Sequence, residues 1–208
     1  MTVTTASAAA APAASAARTP MRLAVIVGSN RDGRFAPVVA DWIIGESRGH
    51  GAWEVDVIDV ATTKLPDVIE VPGMSQAPEM AELGERLAAA DAFIVITPEY
   101  NHSFPAALKH LIDLFRDEWR AKPVGFVSYG GMGGGLRAVE QLRLVFAELH
   151  AVSMRDSISF HMAWERFDEE GRPVDAEGCA SAAKGMLAQL EWWSRTLSEA
   201  RVVRPYDV

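Results

Sequence analysis

The chemically richest stretch of the sequence is a run of five residues that follows the apolar segment AFIVI at 92–96. Its side chains offer a carboxylate, a phenol, an amide and an imidazole, which can bind ligands or transfer protons. A proline opens the run and Pro105 follows it, so the backbone is restricted at both ends and its N–H groups point in fixed directions. Three interpretations are open: catalysis, contact with a ligand, or contact with a second subunit. The residues are Pro98, Glu99, Tyr100, Asn101 and His102.

A second candidate is the segment GSNRDGRF at 28–35, which lies between a β-branched run and a helical pattern. Ser29, Arg31 and Arg34 supply a hydroxyl and two guanidinium groups, and the following helix adds the free N–H groups of its first turn. Together these groups predict a phosphate site. The loop lacks the Gly-Lys-Ser/Thr ending of a Walker A motif and the glycines of the GxGxxG motif. The alternative is an N-capped helix with two exposed arginines.

The third candidate is SYGGMGGGLR at 128–137, where every position from 130 to 135 except Met132 is glycine. Glycine weakens regular structure, so such a run suits a backbone that passes close to a flat ligand or adopts positive φ. A flexible surface loop is the alternative. The spacing of His, Asp and Glu residues predicts no metal site, and Cys179 is the single cysteine.

Length, charge and composition limit the classes of function. The 208-residue chain has a formal net charge of −8, which argues against a nucleic-acid surface because phosphate binding needs a basic face. One cysteine allows no intrachain disulfide, which suits a reducing cytoplasm. No segment approaches the roughly 18 uncharged apolar residues that span a membrane. Residues 1–20 are rich in Ala, Thr and Ser and are predicted to be a disordered tail; the alternative, a cleaved export signal, lacks an early basic region.

Apolar runs and helical periods alternate from residue 21 onward, which predicts one α/β domain over 21–200 and a C-terminal tail at 201–208. This alternation implies a parallel sheet with helices on both faces, whose ligands bind at the carboxyl ends of the strands. Each candidate loop follows a predicted strand, so all three belong to that edge. The predicted strands are 22–27, 53–60, 92–97, 123–130 and 151–160, and the predicted helices are 37–47, 79–90, 104–119, 135–150 and 176–200.

With the three loops in this order, the chain resembles the NADPH-dependent FMN reductases, a group that includes flavodoxin-like quinone, chromate and azo-dye reductases. The segments GSNRDGRF, PEYNHSFPAALKHLID and SYGGMGGG carry the resemblance, which covers about residues 21–195. It implies an α/β, flavodoxin-like three-layer sandwich with a five-stranded parallel sheet in the order 2-1-3-4-5. It also implies bound FMN, NADPH or NADH as the reductant, a small-molecule electron acceptor, and a homodimer or homotetramer.

For the first loop, the resemblance implies that Ser29 and Arg31 hold the FMN phosphate and that Phe35 packs beside it. Arg34 is a further candidate for the phosphate, although many relatives carry a small polar residue at its position.

For the other two loops, the resemblance implies contacts with the flavin ring and the ribityl chain. The second loop would use Pro98 and the backbone N–H groups of the residues after it, and the third loop would follow the opposite edge of the ring. The residues are Pro98, Glu99, Tyr100 and Asn101 in the second loop, and Ser128, Gly130 and Gly131 in the third.

The flavin carries the redox chemistry in such a protein, so no nucleophilic side chain is required. We expect NADPH to give hydride to FMN and an acceptor such as a quinone or a flavin then to take the electrons. His102 is a candidate proton donor because histidine titrates near neutral pH; the alternative is a hydrogen-bonded structural residue. The segment 161–178 either covers the site or belongs to a partner surface. Two other functions remain open: a flavodoxin-type electron carrier and a non-redox FMN-binding protein.

Overall fold

The computed structural model describes residues 19–68 and 78–207. Residues 1–18 of the predicted tail lie outside the described residues, as do residues 69–77, which precede the second helix, and Val208. Within the described ranges, five strands alternate with five α-helices, and two short 3-10 turns interrupt the connections. The strands are β1 Met21–Val27, β2 Trp53–Asp59, β3 Ala92–Pro98, β4 Pro123–Gly130 and β5 Val152–His161; the helices are α1 Ala36–His50, α2 Pro78–Ala89, α3 Ala106–Asp113, α4 Leu136–Glu148 and α5 Ala176–Val203; the 3-10 turns are Asp117–Trp119 and Ala163–Glu165.

The sheet is parallel throughout and has the order β2-β1-β3-β4-β5, as predicted. Helices cover both of its faces, which explains why β3 is buried along its whole length and has an unbroken apolar sequence. Successive residues of β1 alternate between two cores. Leu23 and Val25 pack with α1 and α5, whereas Ala24 and Ile26 pack with α2, α3 and α4. The predicted three-layer sandwich is therefore confirmed.

The strand order brings the three candidate loops together. The chain runs outward from β1 to β2 on one side and from β3 to β4 and β5 on the other, so the order reverses between β1 and β3. A crevice forms at the carboxyl edge of such a sheet at this point. Val27 pairs with Ile96, and Thr97 pairs with Ser128, so the ends of β1, β3 and β4 lie side by side.

The single helix predicted over 104–119 is wrong in its second half. Helix α3 ends at Asp113, and a separate 3-10 turn ends at Trp119. The Trp119 indole is fully buried, and its Nε1 donates to the carbonyl oxygens of Ile112 and Phe115 at 3.2 and 3.0 Å. These bonds hold the buried indole against the end of α3, so the chain leaves the helix while its apolar residues keep a helical spacing.

The other predicted strands and helices end within three residues of the observed ones. Helix α5 continues to Val203, three residues into the segment predicted to be a tail. Among the described residues, no helix combines the length and the apolar character needed to cross a membrane.

Candidate functional site

The first loop leaves β1 through Gly28, at a position where only glycine fits. The Gly28 N–H donates to the carbonyl oxygen of Ile96 at 2.9 Å, and a Cβ on Gly28 would lie 2.8 Å from that oxygen and 2.9 Å from the Leu108 side chain. The loop then enters α1, whose N-cap residue is Phe35, a side chain that cannot accept a hydrogen bond. In the first turn of α1, Pro37 has no N–H and the Val38 N–H donates to the Phe35 carbonyl oxygen at 3.1 Å, so the Ala36 N–H is the one without a partner among the described hydrogen bonds. The helix dipole gives this end of α1 partial positive charge.

The two arginines of the first loop have different environments. Arg34 has 16% of its side chain exposed, and both of its terminal nitrogens bond the Asp59 carboxylate at the end of β2. Its guanidinium also donates to the backbone oxygen of Ser29, and the bond to Asp59 holds the pKa of Arg34 above its ordinary value. Arg31 is exposed, with its guanidinium carbon 6.0 Å from the centre of the Tyr100 ring. Arg34 thus fastens the loop to β2, whereas Arg31 is placed to reach a ligand.

Ser29 and Tyr100 join the first loop to the second. Their hydroxyl oxygens lie 2.8 Å apart, and Ser29 is fully buried. The hydroxyl of Ser29 therefore ties the two loops together, and its predicted contact with phosphate stays a prediction.

The second loop is a tight turn that requires an unusual backbone conformation. Tyr100 and Ser103 exchange backbone hydrogen bonds of 2.8 and 3.0 Å, which leaves two residues between them. These two residues, Asn101 and His102, have φ values of 51° and 68°. Two-residue turns of type I′ need positive φ at both central positions, and asparagine tolerates that conformation better than most side chains. Pro98 is buried at the end of β3 and fixes the start of the loop.

Two polar side chains of this turn contact α4. Glu99 is 8% exposed; its carboxylate pairs with the Arg137 guanidinium and accepts a bond from the Arg137 backbone N–H at 3.3 Å. His102 is exposed, and its Nε2 accepts a hydrogen bond from Nη1 of Arg137 at 3.0 Å. Because a guanidinium only donates, the neutral His102 ring carries its proton on Nδ1. The predicted role of His102 as a proton donor stays a prediction, and it would require the imidazolium, which cannot form while Nε2 accepts the bond from Arg137.

Bonds from two strands hold the glycine-rich loop in place. The hydroxyls of Ser128 and Ser159 both donate to the carbonyl oxygen of Gly134 at 2.8 Å. Gly134 and Gly135 have φ values of 57° and 85°, and a Cβ on Gly135 would lie 2.6 Å from the Ser128 Cβ. The glycines are therefore needed for a defined backbone path, which favours the ligand loop over the flexible surface loop.

The three residues of this loop that were predicted to contact the flavin differ in exposure. Ser128 is fully buried and lies behind the loop, whereas Gly130 and Gly131 are partly exposed. Trp164 lies beside Gly131: a Cβ on that glycine would be 3.6 Å from the indole, and 58% of Trp164 is exposed. The indole adds an apolar surface to the site at the point where the loop has no side chains.

The segment 161–178 borders the candidate site. Its Phe167 is buried, with ring centres 5.6 Å from Phe35 of the first loop and 4.8 Å from Phe160 of β5. A backbone bond from the Asp168 N–H to the Arg172 carbonyl closes a short hairpin after this anchor. Of the two interpretations of this segment, the packing favours the one in which it covers part of the site.

Tyr129 also borders the candidate site, although its sequence position was not predicted to do so. It is 5% exposed, its ring centre lies 6.1 Å from that of Phe35, and its hydroxyl has no hydrogen-bond partner among the described residues. Burial raises the pKa of this phenol, so it is a neutral donor. Unpaired buried hydroxyls are rare in proteins, and a bound ligand can satisfy one. Its position near the end of β4 could have identified it from the sequence, because Ser128 and Tyr129 are neighbours there and point to opposite faces of the sheet.

Comparisons with known proteins found one matching family model and several similar proteins. A family model described as NADPH-dependent FMN reductase matches residues 21–165. The NAD(P)H-dependent FMN reductase of Pseudomonas aeruginosa is 30% identical over 179 residues, which cover 83% of this chain and 94% of that relative. A protein of Oryza sativa named probable NADPH:quinone oxidoreductase 1 is 29% identical over 179 residues, which cover 79% of this chain and 87% of the relative. An NAD(P)H-dependent FMN reductase of Schizosaccharomyces pombe is 32% identical over 121 residues, or 55% of this chain, and the match spans 60% of that relative's length.

Solved structures agree on the fold. FerB, a flavoenzyme NAD(P)H:(acceptor) oxidoreductase of Paracoccus denitrificans, superposes with a TM-score of 0.70 at 22% identity, covering 85% of this chain and 98% of FerB. A flavodoxin variant of Pseudomonas aeruginosa superposes with a TM-score of 0.53 at 18% identity, covering 84% of this chain and 99% of the flavodoxin. The predicted flavodoxin-like fold is therefore confirmed.

Proposed function

The chain belongs to the family of NADPH-dependent FMN reductases, and on that premise we propose that it binds FMN and uses NADPH or NADH to reduce a small acceptor such as a quinone or a flavin. The observation that carries the proposal is the convergence of three shaped loops at one edge of the sheet. One is a helix N-terminus with an exposed arginine, one is a tight turn, and one is a fixed glycine-rich loop.

The first loop fits the phosphate of FMN. The positive end of the α1 dipole and the Ala36 N–H suit an anion, and Arg31 of the preceding loop is exposed. The unpaired hydroxyl of Tyr129 belongs to the same region, because the Tyr129 ring centre lies 6.1 Å from that of Phe35 in the first loop. A neutral phenol and a guanidinium are both donors, as a phosphate requires.

The second and third loops fit a flat ring. In the turn after Pro98 the Tyr100 N–H donates to the Ser103 carbonyl oxygen, so of the predicted N–H groups only those of Glu99 and Asn101 have no partner among the described hydrogen bonds. The glycine-rich loop offers backbone without side chains at Gly130 and Gly131. Trp164 borders this surface with an exposed indole. A planar ligand can therefore approach the protein backbone on one edge and meet an apolar wall nearby.

The protein's part in the reaction is to bind, orient and shield. FMN, when bound, supplies the chemistry of accepting a hydride from the nicotinamide and delivering two electrons to the acceptor. Arg31 and the α1 N-terminus would hold the phosphate end of FMN, and the turn and the glycine-rich loop would hold its ring end. Where the acceptor needs a proton, His102 could supply one only as an imidazolium, which requires its Nε2 first to release Arg137 and take up a proton from solvent. Flavodoxin-type electron transfer and non-redox FMN binding are the outcomes that compete with this proposal.

The proposed setting is the cytoplasm, and the proposed assembly is a homodimer or homotetramer. The single cysteine supports the first. For the second, Leu136 and Leu144 of α4, which are 44% and 73% exposed, are candidate contacts.

Titration of the apoprotein with FMN tests the proposed site. We expect saturable binding with one FMN per chain, because the three loops form one site per sheet. The change in flavin fluorescence monitors the binding. Heat-unfolded protein serves as the control and should leave the fluorescence unchanged. Binding that never saturates, or that the unfolded chain reproduces, would overturn the proposal.

A further inference from the structure

Helix α4 joins two of the three ligand loops. Gly135, the last residue of the glycine-rich loop, is its N-cap residue, so the helix starts where that loop ends. Arg137 and Gln141 lie in its first two turns, four residues apart, and therefore project from the same side of the helix. Both side chains reach across to the turn after β3.

Arg137 contacts the turn at two places. Its guanidinium pairs with the Glu99 carboxylate, which is 8% exposed and also accepts from the Arg137 backbone N–H at 3.3 Å. The other end of the guanidinium donates to Nε2 of His102 at 3.0 Å. The Arg137 side chain thus connects Glu99, at the start of the turn, with His102 at its tip.

Gln141 holds the far side of the same turn. Its Nε2 donates to the backbone oxygen of His102 at 2.8 Å, and its Oε1 accepts from the Ser103 hydroxyl at 2.5 Å. The amide therefore bonds both to the tip of the turn and to the residue that closes it.

The turn needs such support because its backbone is unfavourable for the residues it contains. Asn101 and His102 both have positive φ, a conformation that costs energy for any residue with a Cβ. Neither residue is glycine, so the conformation persists only where surrounding contacts stabilise it. The bonds from Arg137 and Gln141 are those contacts on the side of α4.

We infer that Arg137 and Gln141 are positioning residues, which hold the turn from Glu99 to Ser103 in its ligand-binding shape and couple it to the glycine-rich loop. This inference rests on the proposed flavin function. We expect both side chains to affect binding of the ring end of the ligand, because neither contacts the first loop in the described hydrogen bonds and ion pairs.

Flavin binding by the variants Arg137→Met and Gln141→Leu tests the inference. Arg137→Met should weaken FMN and riboflavin equally, by about tenfold, which corresponds to the loss of one charge-assisted hydrogen bond. Gln141→Leu should act in the same direction. Arg137→Lys should recover part of the affinity, because a lysine can still pair with Glu99 but cannot bond His102 at the same time.

Arg143→Met is the matched control on the same helix. Arg143 donates to the backbone oxygens of Met154 and Arg155 in β5 and has no bond to the turn among the described contacts, so its loss should lower stability and leave both flavin affinities unchanged. If Arg137→Met lowers only the unfolding midpoint and leaves the affinities unchanged, the inference is wrong.

Amide hydrogen exchange gives a second measurement that needs no flavin. The amides of Tyr100 and Ser103 bond to each other's carbonyls and should exchange faster in Arg137→Met than in the wild type or in Arg143→Met. Unchanged exchange at both amides would contradict the positioning role. If the wild type bound neither flavin, the proposed function would fail, and the exchange rates would still decide whether Arg137 orders the turn.

Discussion

Gly28→Ala is expected to destabilise the protein by about 3 kcal/mol, since an added methyl group in a filled space forces the backbone and neighbouring side chains to shift. A Cβ on Gly28 would lie 2.8 Å from the Ile96 carbonyl oxygen and 2.9 Å from the Leu108 side chain. The Ile96 oxygen cannot move away without breaking its hydrogen bond from the Gly28 N–H. Denaturant unfolding measures the loss as a lower midpoint with an unchanged slope.

Gly45→Ala is the matched control for this substitution. Gly45 is exposed on α1, and a Cβ there would meet nothing within 4 Å. The added methyl group should stabilise the helix by about 0.5–1 kcal/mol, because glycine is unfavourable in a helix interior. A Gly28→Ala protein as stable as the wild type would show that β1 and β3 do not approach as closely as described.

Arg31→Ala is expected to weaken FMN binding by about 10- to 150-fold, because a hydrogen bond to a charged group contributes about 1.5–3 kcal/mol. The loss should be specific to the phosphate, so the affinity for riboflavin, which has none, should stay unchanged. Titration of wild type and variant with both flavins measures the two effects side by side.

Arg155→Ala controls for the loss of a surface charge. The side chain of Arg155 is 91% exposed on β5 and pairs only with its neighbour Asp156 among the described ion pairs, so its loss should leave FMN affinity unchanged. An Arg31→Ala protein with wild-type affinity for FMN would refute the phosphate role. Equal losses for FMN and riboflavin would refute it too, because the contact would then involve the ring or the ribityl chain.

Local sequence patterns were sufficient to predict a parallel sheet with helices on both faces, whereas the strand order was implied by the family resemblance. The run AFIVI predicted a strand buried on both faces, and β3 is buried along its whole length. The pattern failed at Trp119, where apolar spacing continues although the helix has ended. Its indole donates to one carbonyl in the last turn of α3 and to one just after the helix, and periodicity contains no information on such contacts.

The sequence predicted which loops form the candidate site more successfully than it predicted the role of each side chain. Arg31 and Arg34 are three residues apart in one loop and are equivalent as sequence features. They differ because Asp59, at the end of β2, lies next to Arg34 in space. Pairing of this kind depends on the strand order, so one loop cannot reveal it.

The turn after β3 shows the same limit. The prolines predicted a rigid backbone, and the structure has a two-residue turn stabilised by exchanged hydrogen bonds. Its support from α4, through Arg137, could not be predicted because the two segments are separated by 38 residues in the sequence. Tyr129 was missed for a different reason: it ends a buried strand, where a tyrosine is expected to be part of the core.

Anaerobic addition of NADPH to the FMN complex tests the central claim most directly. We expect the visible flavin absorption to bleach, and an added quinone to restore it, because reduction by NADPH and re-oxidation by a small acceptor are the two halves of the proposed activity. A yellow protein that NADPH never bleaches would contradict the reductase function and favour an electron carrier. A colourless protein that FMN cannot reconstitute would contradict flavin binding itself.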